Sequence, residues 1–131
     1  MGPMDVDILP DKAKEGFFRI VPHGPIDSDT YDGFREKADK VMANAKGVVV
    51  DLRDVDYISS AGLGVLFTMK KTLVQKNGEL LFCNLKPQIK RLFDVVKALP
   101  KETIFESLEE ADRYFYRIQN EEIERQKKKQ P

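Results

Sequence analysis

The sequence is poor in the residues that build disulfides, zinc sites and catalytic bases. Its 131 residues include one cysteine, one histidine and no tryptophan. A disulfide needs two cysteines, so Cys83 forms none within the chain, and its place in an apolar run indicates a small buried side chain in a reducing compartment. Cys83 and His23 alone cannot assemble a zinc site, and His23, beside a Gly-Pro pair, is interpreted as a loop residue. We therefore predict no bound metal and no cofactor.

The sequence also lacks an excess of one charge and any long apolar run. It has 22 Lys and Arg against 22 Asp and Glu, and this balance argues against nucleic acid or a membrane as the partner. No apolar run approaches the roughly 18 residues that span a bilayer, and the first residues have neither the basic nor the apolar region of a signal peptide. The length and the 41% hydrophobic content favour one globular domain, which we expect to be cytoplasmic.

Phosphate-binding and nucleophile motifs are missing as well. Gly62 and Gly64 follow a predicted strand, as in a dinucleotide-binding turn, but the third glycine would fall at Phe67. The sequence contains no Gly-Lys-Ser or Gly-Lys-Thr of a P-loop and no Gly-x-Ser-x-Gly of a hydrolase. These absences predict that the chain is not an enzyme.

The spacing of apolar residues predicts strands that alternate with helices. In chain order we expect two strands, a helix, a strand, a helix, a strand, a helix, a short strand near residues 103–105 and a final helix. The short link between the first two strands favours an antiparallel pair, and the later strand–helix–strand units favour right-handed parallel crossovers. The predicted fold class is α/β, with a mostly parallel sheet of four or five strands, an antiparallel N-terminal edge strand and about four helices.

Three finer expectations come from the same patterns. The β-branched run at 48–50 predicts a strand that is covered on both faces. Beyond Gln119 the sequence is mostly charged, so we predict a domain at 4–118 and a charged C-terminal extension at 119–131 that forms the frayed, solvated end of the last helix. The second helix is expected to face the core with an apolar stripe, Leu63, Leu66, Phe67 and Val74.

Four aspartates are candidates either for a metal site or for turns. They lie near the ends of predicted strands: Asp27, Asp51, Asp54 and Asp56. Ligand sites in α/β sheets gather beyond the carboxyl ends of the strands, and carboxylates there can bind Mg²⁺. Aspartate is also common in loops because it caps helices and forms Asx turns. We favour this second interpretation.

Two serines stand immediately before the second predicted helix. Serine is a preferred N-cap, so capping alone explains one of Ser59 and Ser60. The other hydroxyl then lies at a helix N-terminus, where N–H groups and the macrodipole favour an anion. The small residues Ala61, Gly62 and Gly64 leave room for the backbone of another protein. This arrangement is chemically suited to phosphorylation.

Several ordered motifs make the sequence resemble a known family. The segments VVVDL at 48–52 and VDYISSAGLGVL at 55–66 closely resemble the signature of STAS-domain anti-sigma factor antagonists. The segments NGEL at 77–80 and IKRLFDV at 89–95 resemble the next strand and helix of that family, and GPID at 24–27 stands where the family has Gly-x-Leu-Asp.

The resemblance, which covers about residues 5–110, implies a partner switch. In this family an anti-sigma factor with a histidine-kinase-like ATPase fold binds the antagonist and phosphorylates one serine, and a metal-dependent PP2C-type phosphatase removes the phosphate. The unphosphorylated antagonist holds the anti-sigma factor and so frees the sigma factor. The family's acceptor position, two residues before the first motif glycine, is Ser60. Ser59 stands where relatives often have Asp and is the second choice, and Asp27 matches the family's acidic residue beside the acceptor hydroxyl.

The expected partner-binding surface comprises the acceptor and its neighbours, Asp27, Ser59, Ser60, Ala61, Gly62, Leu63 and Gly64. Two alternatives stay open at this point. One is a STAS scaffold or sensor subunit in a larger assembly, and the other is a module that binds a small ligand or a nucleotide at the aspartate-rich end of the sheet.

Overall fold

The described part of the chain contains a mixed sheet of four strands. The computed structural model describes residues 4–99 and 105–129. Its strands lie in chain order across the sheet, with β1 antiparallel to β2 and with β2, β3 and β4 parallel. This confirms the α/β fold with an antiparallel N-terminal edge strand. The strand bounds are β1 Asp5–Pro10, β2 Phe17–His23, β3 Gly47–Asp51 and β4 Glu79–Cys83.

Among the described residues, four helices accompany the sheet, in agreement with the predicted number. The parallel pairs need crossovers, and α1 supplies the one between β2 and β3 while α2 supplies the one between β3 and β4. None of the helices in the described ranges is long and apolar enough to cross a membrane. Of the expected short strand at 103–105, residues 103 and 104 lie outside the described residues, and Phe105 belongs to no strand. The helix bounds are α1 Tyr31–Met42, α2 Ser60–Gln75, α3 Pro87–Ala98 and α4 Leu108–Lys129.

One face of the sheet carries the core and the other is partly open. Val48 and Val50 are buried in the core, whereas Val49 between them is only half-buried. Strand registry places Val49 in a row with Leu9 and Leu81, both of which are exposed, Leu81 by 58%. The prediction that this strand is covered on both faces is therefore wrong. Side chains alternate between the faces of a strand, and only one of these faces receives full cover.

The apolar stripe of α2 differs from the predicted one in two residues. Phe67 and Val74 are 45% and 58% exposed, so their assignment to the core was wrong. Each follows a buried leucine, and a shift of one residue turns a helical side chain by about 100°. The core-facing positions are three or four residues apart: Leu63, Leu66, Met69 and Leu73.

The last helix extends well beyond the apolar residues that predicted it and continues to Lys129. The expectation that its end is frayed stays a prediction. Gln119 and Glu122 are buried, and beyond them ion pairs such as Arg125–Glu122 at 3.1 Å join successive turns. The helix crosses the position between 118 and 119 without interruption. The division into a domain at 4–118 and an extension at 119–131 stays a prediction.

A buried carboxylate at the end of β3 ties neighbouring strands together. Asp51 is fully buried, and its oxygens accept hydrogen bonds from Arg53, from Arg19 at 2.9 Å and from Asn84 at 3.1 Å. The Arg53 guanidinium, helped by Asn84 and Arg19, holds the pKa of the Asp51 carboxyl well below its usual range despite its burial. Asp51 therefore links β2, β3 and the turn after β4, and it serves the fold.

We expect Asp51→Asn to lower the free energy of unfolding at pH 7 by about 1–3 kcal/mol. The substitution replaces the charged carboxylate by a neutral amide, which weakens the hydrogen bonds from Arg19 and Arg53. The folded pKa lies below the ordinary value of 3.8, so this contribution is complete above pH ~5 and is lost as the pH falls towards the folded pKa. Urea unfolding at pH 7 and at pH 2.5 measures this contribution. The difference in the free energy of unfolding between wild type and Asp51→Asn should be smaller at pH 2.5. Asp56→Asn, at an exposed loop position, is the control. If wild type and Asp51→Asn differed by the same free energy of unfolding at both pH values, the stabilising role of the ionised Asp51 would be contradicted.

Candidate functional site

The segment before α2 is extended and fixed to the loop after β2. Ile26 and Ile58 form a parallel bridge: the Ile26 N–H donates to the Tyr57 carbonyl at 3.0 Å, and the Ser59 N–H donates to the Ile26 carbonyl at 2.9 Å. Because backbone groups alternate in direction along an extended segment, the N–H and C=O of Ile58 point the other way. The start of α2 therefore has a defined position against the loop after β2.

The two serines before α2 have different roles. Ser59 is the N-cap, is only 3% exposed, and accepts a hydrogen bond from the Gly62 N–H at 3.2 Å. Ser60 is the first residue of the helix and is half-buried. One serine caps the helix and the other offers its hydroxyl at the helix N-terminus, as the sequence predicted.

The hydroxyl of Ser60 meets a carboxylate that the sequence analysis did not identify. Asp112 in α4 accepts hydrogen bonds from the Ser60 hydroxyl at 2.6 Å and from the Ser60 N–H at 3.0 Å, both at Oδ1. The short O–H···O distance is typical of a bond to an ionised acceptor. The family resemblance pointed to Asp27 as the acid at this hydroxyl, and in this chain Asp112 makes that hydrogen bond instead.

Asp27 is occupied by the turn that begins α1. Its Oδ1 accepts hydrogen bonds from the N–H groups of Asp29 at 2.9 Å and Thr30 at 3.1 Å, which is the predicted Asx arrangement. Asp27 nevertheless lies near the site. Burial first, and then the negative charges of Asp112 and Asp27, raise the pKa of the Tyr57 hydroxyl. Two carboxylates therefore flank the segment that carries the serines.

The two motif glycines serve different purposes. A Cβ at Gly62 would lie 2.3 Å from the Ile26 carbonyl oxygen, so only glycine permits this contact between α2 and the loop after β2. Gly64 is exposed, and a Cβ there would meet no heavy atom within 4 Å. Gly62 is therefore required by packing within the chain, whereas Gly64 leaves a bare stretch of helix surface.

The predicted partner-binding residues do not all reach the surface. Leu63 is buried in the core, and Gly62 and Ser59 are buried as well. These three residues support the site from beneath and are not themselves open to a partner, because the cap and the inward face of α2 are covered by the rest of the chain. The more accessible members of the predicted set are Asp27, Ser60, Ala61 and Gly64.

A groove lies between α1 and α2 beside these residues. Its volume is about 390 Å³, and Ala61 and Gly64 line it from the α2 side. Tyr31 and Arg35 line it from the α1 side. Within the described ranges the Ala61 N–H donates to no protein acceptor, so one donor in the first turn of α2 remains available at the mouth of this groove.

Three of the four aspartates proposed as alternative metal ligands, Asp27, Asp51 and Asp54, have other partners, and Asp56 is exposed in a loop. Asp51 binds arginines, and Asp54 Oδ2 lies 2.8 Å from His23 Nδ1. His23 was predicted to lie in a loop, but it ends β2 and also contacts Asp7 through Nε2 at 2.9 Å. The hydrogen bonds to Asp7 and then Asp54 raise the pKa of His23. Among residues 4–99 and 105–129, no three His, Cys, Asp or Glu side chains converge as metal ligands.

Comparison with known proteins identifies the family. The model of the STAS domain matches residues 10–111, most of the chain. The anti-sigma-B factor antagonist of Bacillus subtilis is 30% identical over 92 residues, which cover 70% of this chain and 82% of that protein. The chain belongs to the STAS-domain family of anti-sigma factor antagonists.

Two further similarities agree with this assignment but do not carry it. BtrV of Bordetella bronchiseptica is 45% identical over 60 residues, which cover 46% of this chain and 52% of BtrV, so the match spans about half the length of that relative. The unphosphorylated form of the anti-sigma factor antagonist SpoIIAA superposes with a TM-score of 0.56 at 15% identity, covering 82% of this chain and 97% of SpoIIAA. At this identity the likeness to SpoIIAA shows the STAS fold alone.

We expect opposite effects on stability from alanine at the two glycines of the STAS motif. Gly62→Ala should lower the free energy of unfolding by about 1–3 kcal/mol, because the new methyl group collides with the Ile26 carbonyl. Gly64→Ala should raise it by about 0.5–1 kcal/mol, because alanine favours an exposed helix position that glycine disfavours. Urea unfolding followed by circular dichroism measures both. Equal effects of the two substitutions would contradict the assigned roles.

Proposed function

We propose that this protein is an anti-sigma factor antagonist whose binding to its anti-sigma factor is controlled by phosphorylation of Ser60. Related proteins of the same family carry the name of anti-sigma factor antagonist. SpoIIAA of Bacillus, which shares the fold with a TM-score of 0.56, is known in a phosphorylated form. The observation that supports Ser60 most directly is the contrast between the two serines.

Ser60 is suited to accept a phosphoryl group and Ser59 is not. Ser60 is half-buried at the first turn of α2, next to Ala61 of the groove lining, whereas the Ser59 hydroxyl is buried and committed to the helix cap. At a helix N-terminus the partial positive charge favours a phosphate by about 0.3–1 kcal/mol. The Ala61 N–H adds a donor that uses no existing hydrogen bond. The phosphorylated protein should therefore keep its fold.

The reaction requires a partner that supplies the nucleotide. The Ser60 oxygen attacks the γ-phosphorus of ATP, a new P–O bond forms, the bond to ADP breaks, and the hydroxyl proton is released. We propose an anti-sigma factor with a histidine-kinase-like ATPase fold as that partner. A PP2C-type phosphatase then hydrolyses the phosphoserine, so water supplies the oxygen of the released phosphate and the hydroxyl proton returns.

The charge of the phosphate explains how one modification breaks the complex. Phosphoserine adds about −1.5 to −2 charges at neutral pH. In a desolvated interface that charge costs several kcal/mol, and about 4 kcal/mol corresponds to a roughly thousandfold weaker complex. Ala61 and Gly64 line one side of the groove, and Ser60 directly precedes Ala61 in the first turn of α2, so a partner seated in the groove lies close to the phosphate.

Removal of the Ser60 hydroxyl should abolish phosphorylation without abolishing binding. Ser60→Ala incubated with the cognate anti-sigma factor and Mg·ATP should stay unmodified by intact-mass spectrometry, yet bind that partner in calorimetry. Ser59→Ala is the matched control: it should lose about 1 kcal/mol of stability with its cap and still gain one phosphate. Full phosphorylation of Ser60→Ala would overturn the assignment to Ser60.

A fixed negative charge at position 60 should imitate the phosphorylated state. Ser60→Glu should bind the anti-sigma factor at least tenfold more weakly than wild type, because a carboxylate carries part of the phosphate charge into the interface. Its far-UV circular dichroism spectrum should be unchanged. Equal affinities of wild type and Ser60→Glu in calorimetry would contradict an interfacial switch.

A further inference from the structure

One face of α4 contacts the segment that carries the acceptor serine at three residues, Tyr57, Ile58 and Ser60. We name the contacting side chains, Asp112, Tyr116 and Gln119, the α4 clamp. They are spaced by four and three residues, so they lie on one side of the helix. All three lie beyond residue 111, where the match to the STAS domain ends.

Gln119 pairs with the backbone of Ile58 as a neighbouring strand would. Its Oε1 accepts from the Ile58 N–H at 2.9 Å and its Nε2 donates to the Ile58 carbonyl at 2.7 Å. Ile26 already occupies the other edge of this segment. Gln119 is buried, so the amide satisfies two backbone groups that have no access to water.

Tyr116 and Asp112 extend the clamp along the segment in both directions. The Tyr116 ring packs edge-on against Tyr57, with centroids 6.0 Å apart. Asp112 accepts both hydrogen bonds that Ser60 donates, from its hydroxyl and from its N–H. The position of α4 is therefore connected to the chemical state of the Ser60 oxygen.

We infer that α4 responds to the phosphorylation of Ser60, with Asp112 as the residue that couples the two. This inference rests on the proposed function for the identity of the acceptor. Phosphorylation replaces the hydroxyl proton of Ser60, so the hydrogen bond from that hydroxyl to Asp112 is lost. It also places a second anion beside the Asp112 carboxylate. The phosphate and Asp112 then compete for the same positive end of α2.

The effect of this competition reaches Gln119 because a helix moves as a unit. Asp112 and Gln119 are seven residues apart, about two turns of the same α-helix. Displacement of Asp112 from Ser60 therefore strains the hydrogen bonds between Gln119 and Ile58. In the unphosphorylated protein the contacts of the α4 clamp are intact, and in the phosphorylated protein they are weakened. The two forms therefore differ in the packing of α4 as well as in the charge at Ser60.

Amide hydrogen exchange, measured by NMR, tests the clamp without any partner. Phosphoserine is incorporated at position 60 during translation, so no kinase is needed and a failure of the proposed partner leaves this test intact. The Ile58 N–H should exchange at least tenfold faster in the phosphorylated protein than in the unmodified one. The Leu66 N–H, in the middle of α2, serves as the internal reference and should change less than twofold.

Two variants assign the effect to the charge at position 112. In the phosphorylated Asp112→Asn protein, which keeps an acceptor oxygen but no charge, the acceleration at Ile58 should fall below threefold. Glu121→Gln is the matched control, because it removes one negative charge from an exposed site on the same helix, and it should leave the tenfold acceleration in place. Exchange at Ile58 that differs by less than twofold between phosphorylated and unmodified wild type would overturn the proposal. A tenfold acceleration that persists in Asp112→Asn would overturn the role of Asp112.

Discussion

The contact between Gly62 and the Ile26 carbonyl is the constraint on which the site depends. That carbonyl also accepts the Ser59 N–H, so one oxygen positions both the end of the extended segment and the first turn of α2. No side chain fits between them. The close approach fixes where α2 begins, and the beginning of α2 determines which of two adjacent serines is buried and which is offered at the helix N-terminus.

Local interactions made much of this arrangement predictable from sequence. The serine cap and the Asx turn at Asp27 involve residues two or three positions apart, and such patterns can be read directly. The contact between Asp112 and Ser60 joins residues 52 positions apart, and it depends on how α4 docks. In the sequence, Asp112 is a polar residue on the same helix as two apolar residues at helical spacing, Phe115 and Ile118, which the structure buries. A polar residue in such a place has no evident role until the residue that it faces is known.

Most of the fold was predictable from the periodic spacing of apolar residues. The residues whose burial was predicted wrongly share one cause. The order of strands and helices was predicted because alternating and helical spacings are properties of a single segment. Phe67 and Val74 were misplaced because two overlapping stripes, offset by one residue, both fit the spacing in α2, and packing selected the one that contains Leu66 and Leu73. Val49 was misplaced for a similar reason, since a run of valines does not reveal how many faces are covered.

The C-terminal end of α4 is stabilised by side-chain ion pairs, whereas the rest of the molecule is stabilised by a buried core. Its last buried residue is Glu122, and the turns beyond are joined by side-chain pairs such as Arg125–Glu122 at 3.1 Å and Lys127–Glu124 at 3.5 Å. Attraction between exposed charges is screened over about 8 Å at physiological ionic strength and over about 3 Å in molar salt. We therefore expect the length of this helix to depend on the ionic strength of the solution as well as on the sequence, with concentrated electrolyte shortening it from its C-terminal end.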